Sequence, residues 1–187
     1  MLDLIKTNFA RILIVSFLVT PFASYAEGID FTNFKLVGNA PKYKVITGVH
    51  FHLTNYLKNA LENGVELKAR VQFRYVIDRG WWFNKEITLR TVTYQLKYHA
   101  LSQHYLLTRN DTNEHWNFSS LSTTLRKLGE LRQYPLPDIK IPDDGNRHFI
   151  LAVADMAPET LRLPLRIQSL FSDKYSIASE GVLWPLP

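Results

Sequence analysis

The sequence predicts an α+β fold, mainly an antiparallel β-sheet with two helices packed on it; a β-sandwich with added helices is the alternative arrangement. Three observations carry this. Val65 to Ile77 alternates apolar and polar residues with a period of two, Val76 excepted, the mark of a half-buried strand. A second β-rich run follows to Tyr98, across the turn chemistry of Asp78-Arg79-Gly80, so the two runs read as one long hairpin bent at Trp81 and Trp82. Two short stretches break the strand pattern with apolar residues three and four apart, the spacing of amphipathic helices.

Taken in order, Ile29–Val37 has β-forming residues and ends at the turn cluster Gly38-Asn39-Ala40-Pro41. Tyr43–Leu53 alternates again and completes a hairpin. Thr54–Gly64 is a helix: Thr54 or Asn55 can cap it, Leu57, Ala60 and Leu61 form its stripe, and Gly64 can enter the left-handed region that ends helices. After the long strand and its bend, Ile87 and Leu89 share a face, while Val92, Tyr94, Leu96 and Tyr98 run in the opposite phase. That slip predicts a β-bulge near Arg90-Thr91. His104–Arg109 returns as a strand, and Asn110–Glu114 is a polar loop. Phe118–Leu131 is the second helix, with Phe118, Leu121, Leu125, Leu128 and Leu131 in line and Pro135 and Pro137 beyond it. Phe149–Ala154 is a strand, Met156–Phe171 an irregular segment, and Tyr175–Trp184 a closing strand.

The N-terminus is expected to be separate. Lys6 and Arg11 precede an apolar run from Ile12 to Ala23, and Ser24-Tyr25-Ala26 offers the small residues a signal peptidase reads. Residues 1–26 are therefore a signal peptide cleaved after Ala26, and residues 27–187 a single exported, periplasmic domain. The run is shorter than the roughly 20 residues a membrane-crossing helix needs, and no later stretch is long enough. With no cysteine in 187 residues, the fold must stand without disulfides, and thiol catalysis, iron–sulfur clusters and cysteine-bound zinc are excluded. Basic residues exceed acidic ones, 22 to 17, and they are spread along the chain. For an exported protein this favours an envelope protein or an anionic envelope component as partner over nucleic acid.

No constellation of catalytic residues is visible. A nucleophile elbow, a phosphate loop and a dinucleotide-binding glycine pattern are all missing, and Asp143-Asp144-Gly145 lacks the ligand spacing of a calcium loop. His50 and His52 leave one face of a strand and could both meet a metal, but nothing nearby in sequence supplies further ligands, so a metal site is not expected. The aromatic bend offers more: Arg79 with Trp81 and Trp82 can stack on sugar rings, lipid headgroups or a partner's side chains. Lys68, Arg70 and Arg74 form a basic row on the outer face of the central strand.

At Arg79-Gly80-Trp81-Trp82, Leu96–Leu101, Phe118-Ser119-Ser120-Leu121 and Ser179–Trp184 the chain resembles the exported proteobacterial family called domain of unknown function 4390. Gly80 and Gly181 depart from the bulkier residues expected there. The resemblance brings no activity and no catalytic residue. It implies a link to envelope signalling, because genes of that family often lie near a nitrogen-type sensor kinase and its response regulator.

The function expected from the sequence is non-catalytic binding in the periplasm, without a cofactor. Arg79, Trp81, Trp82, Lys68, Arg70 and Arg74 are the candidate surface. A carrier of an apolar ligand or lipid, with Met156–Phe171 at its mouth, is the alternative. A metal-dependent hydrolase using His50 and His52 is the third reading.

Overall fold

A computed structural model describes residues 28–80, 83–159 and 175–187. It is α+β and mainly antiparallel, as the strand periodicity predicts, with the strands divided between two sheets that share one core. The small sheet has the order β1-β2-β7, with β1 Gly28–Asn39, β2 Lys42–His52 and β7 Glu130–Pro135. The large sheet has the order β10-β8-β3-β4-β5-β6, with β9 beside β8. Its strands are β3 Leu67–Asp78, β4 Lys85–His99, β5 His104–Arg109, β6 Glu114–Phe118, β8 Arg147–Pro158, β9 Ile177–Ala178 and β10 Val182–Pro185. Helix α1 is Asn55–Glu62 and α2 is Leu121–Leu128. The second sheet is what the sandwich alternative anticipated.

The long strand β3 organises the molecule. It pairs with β4 on one side and β8 on the other, and its odd-numbered residues Leu67, Ala69, Val71, Phe73 and Tyr75 are all buried. Across the core, Phe73 meets Tyr134 of β7 with ring centroids 5.8 Å apart, and Phe34 of β1 meets Trp184 of β10 at 6.1 Å. Burial of this many aromatic and branched side chains, at roughly 1.5–3 kcal/mol each, is the main favourable term in a fold without disulfides.

The slip in β4 is real. Arg74 faces Thr88 and Phe73 faces Arg90, which leaves Leu89 as the extra residue of a bulge one position before the predicted place. Helix α1 also forms as expected. The Leu57 N–H donates to the Thr54 hydroxyl at 3.1 Å, Leu57 and Leu61 are buried, and Gly64 closes the end at φ +83°.

Four expectations need correction. The second helix is shorter than Phe118–Leu131: Ser120 caps it, Phe118 belongs to β6 and Leu131 to β7. The spacing of those two leucine-stripe ends suits a helix, but strand pairing with β5 and β2 claims them. The polar loop is reduced to a turn, since Glu114 already pairs with Arg109. The strand predicted at Phe149–Ala154 runs to Pro158, so Met156, fully buried, is a core strand residue and not part of an irregular segment. The closing strand is broken into β9 and β10, with Gly181 at φ +91° before the second piece. The remainder of Met156–Phe171, from residue 160 onwards, lies outside the described residues.

A buried polar chain ties the loop before β8 to the large sheet. Tyr75 Oη lies 2.7 Å from His148 Nδ1, and His148 Nε2 lies 3.1 Å from Asp144 Oδ1. With Asp144 accepting from Nε2–H, Nδ1 is left to accept the Tyr75 hydroxyl proton.

Candidate functional site: a groove between strand β2 and helix α2

A concave surface lies where β7 leaves off and α2 takes over beside β2. β7 pairs with β2 only from Lys44 to Gly48. Beyond that point the last turn of α2 sits against the strand instead. The Val49 N–H donates to the Gly129 carbonyl at 2.8 Å, and a Cβ built on Gly129 would fall 1.8 Å from the Val49 carbonyl oxygen. Only glycine permits this approach. Upstream, the Ser120 hydroxyl accepts from the Thr123 N–H at 3.2 Å, and the buried Leu128 turns the helix stripe inward.

The result is a groove of about 840 Å³. Ile46, Val49, Phe51, Leu125 and Leu131 supply apolar wall, and His50, His52, Arg126, Lys127 and Arg132 stand around it. The His50 and His52 rings stack with centroids 6.5 Å apart, and His52 Nε2 lies 3.4 Å from Asp30. Lys127 sits 4.8 Å over the Trp116 ring, and Arg132 pairs with Glu130. Arg126 is exposed at the C-terminal turn of α2, where a cation complements the helix dipole, and it has no acid partner among the described residues.

Next to the groove, a smaller pocket of about 210 Å³ centres on Arg109. Its guanidinium lies 6.0 Å from the Tyr94 ring and 5.3 Å from the Tyr134 ring, and donates to Asp111 at 2.7 and 2.9 Å. Burial pushes the Tyr94 phenol up to about 12. Burial alone would raise the Asp111 carboxyl, but the hydrogen bond and charge of Arg109 outweigh it and hold it below its ordinary value. Of the charges that line this pocket, Arg109 and Arg132 are matched to acids, and Lys127 lies over the Trp116 ring.

The sequence-nominated residues fall in three places. His50 and His52 stand at the groove, and no group of three or more His, Asp or Glu side chains among the described residues is placed to hold a metal. Lys68, Arg70 and Arg74 do share the outer face of β3, but each is matched. Lys68 reaches Glu159 at 3.1 Å, Arg70 holds Asp155 through two nitrogens at 3.0 and 2.8 Å, and Arg74 reaches Glu86 at 3.0 Å. At the foot of this face, burial raises the Glu66 carboxyl, and Lys97 pairs with it. Arg79 is exposed beyond the end of β3, Phe83 is 95 % exposed, and Trp81 and Trp82 lie outside the described residues.

The family model of a domain of unknown function, DUF4390, matches residues 26–185. The chain belongs to this family. No curated protein and no solved structure gives a significant match. Most of the groove was missed from the sequence, because its walls come from strands and a helix far apart in the chain. The available signal was Gly129 inside a leucine stripe, a residue that weakens a helix unless something must pass close to it.

Proposed function

We propose that this member of the DUF4390 family is a non-catalytic binding domain of the cell envelope, exported by a signal peptide, whose groove takes an anionic amphiphile of the envelope. The observation that carries the reading is the combination at one site of an apolar channel and an unmatched cation. Leu125 and Ile46 offer wall to an acyl chain, and Arg126 can meet a carboxylate or phosphate without first giving up an acid partner. The outer face of β3 lacks that property, since its three cations are matched. Among the described residues, no helix is long and apolar enough to cross a membrane. A link to envelope signalling is part of the same proposal, with occupancy of the groove as the signal.

The test is native mass spectrometry of the protein purified from the envelope fraction, followed by calorimetric titration with laurate. A co-purifying lipid, or laurate binding that is weakened in an Arg126→Ala protein, supports the reading. A bare polypeptide that does not bind laurate removes it, as does an acidic protein that crosslinks to Arg126 and is not displaced by laurate.

A further inference from the structure

Strand β4 is longer than its neighbour on one side. β5 pairs with Tyr94–His99 only, so the stretch from Lys85 to Val92 has β3 on one flank and, among the described residues, no strand on the other. The Asn110 N–H donates to the Thr93 carbonyl at 2.9 Å, which shows that Thr93 turns its main chain toward the β5 side. Antiparallel residues alternate in this respect. Thr91 therefore faces outward with Thr93, whereas Val92 and Arg90 face β3. The bulge at Leu89 resets the count on β4 but not on β3, whose pairing with β8 is unbroken. Ile87 and Lys85, opposite Tyr75 and Ile77, face β3, and Glu86 and Thr88 face outward.

An open run of main-chain donors and acceptors is a template for one more strand. Its surroundings select what that strand carries. Ile87 is 42 % exposed, and Arg79, Lys85 and Arg90 have no acid partner among the described residues. The nearby carboxylates are engaged, Glu86 by Arg74 and Asp78 by Arg147.

We propose that the Glu86–Thr91 edge of β4 is a docking site for an extended, acidic segment of a partner protein, which joins the large sheet as a further strand. A second copy of the same edge fits worse. Symmetric pairing about Thr88 would set Glu86 opposite Arg90, and the bulge has placed these two on opposite faces, Glu86 beside Val76 and Arg90 beside Phe73.

The experiment is residue-resolved amide hydrogen exchange on the purified protein, free and with a synthetic nine-residue peptide alternating Glu and Val. In the free protein the Glu86, Thr88 and Thr91 amides should exchange fast and those of Ile87, Arg90 and Val92 slowly. The peptide should slow the first three by about tenfold or more. Thr88→Pro removes an outward N–H and none of the bonds to β3, so it should weaken peptide binding by about tenfold. Should that variant unfold, the Lys85→Glu/Arg90→Glu double variant serves, with the same expected loss. Arg126→Ala should leave peptide binding unchanged, which separates this site from the groove. The proposal is overturned by fast-face amides already protected in the free protein, by protection elsewhere, by a variant that binds as well as the parent, or by a dimer that Thr88→Pro dissociates.

Discussion

Two basic surfaces of this protein look alike in sequence and differ in the fold. On the outer face of β3, Lys68, Arg70 and Arg74 repeat every second or fourth residue, and each finds a carboxylate on β8, β4 or the end of β8. Beside the groove, Arg126 stands on a helix with no acid in reach among the described residues, next to apolar wall. A cation already matched must be stripped of its partner before it can meet a ligand; an unmatched one need only lose water. Charge along a sequence therefore says less about binding than the pairing that the topology imposes.

The largest way to break the comparison is Gly129→Ala. The added methyl meets a backbone oxygen that cannot swing away, so the end of α2 must part from β2. We expect a loss of about 3 kcal/mol or more, read as a fall of roughly 6–12 °C in the thermal midpoint, together with loss of laurate binding. Second is Asp111→Asn, which leaves Arg109 between Tyr94 and Tyr134 with only Glu114, 3.9 Å away, as an acid partner and costs about 2 kcal/mol in urea unfolding at neutral pH. Because the folded Asp111 carboxyl lies below its ordinary 3.8, its stabilisation is present above that pH and lost as pH falls through the folded value. The variant should lose less stability than the parent over that acid range.

A smaller effect sharpens the contrast. Arg126→Ala should leave the thermal midpoint within about 1 °C and weaken laurate binding about tenfold. Arg70→Gln should do the reverse: a stability change of no more than about 1 kcal/mol, from an exposed pair, and no change in laurate affinity. Equal losses of affinity in the two variants would show that long-range charge, and not the groove, governs binding.

The fold was legible where one period dominates. β3 could be read from Val65 onward, and even the bulge in β4 was visible, because Leu89 and Val92 cannot share a phase with one another on an unbroken strand. The stripe predicts too long an α2 because Phe118 and Leu131 fit both a helix and a strand; which of them wins depends on β5 and β2, which local spacing does not contain. The prolines that follow Met156 suggest an irregular segment, although Pro158 sits at the last position of β8, where a missing donor is tolerated. The groove was illegible for a related reason. His50, Leu125 and Arg132 meet only through the sheet order β1-β2-β7, and that order joins strands nearly eighty residues apart.

The bulge at Leu89 works like a frame shift in the strand. Before it, Lys85 and Ile87 stand on the same side as Tyr75 and Ile77; after it, Arg90 and Val92 take that side. One residue thus lets a single strand be spelled in two phases. Deleting Leu89 would merge the two phases: with Arg90 held opposite Phe73 by the half that β5 locks, Thr88 would still face Arg74 and Ile87 would still face Tyr75, now on an unbroken ladder.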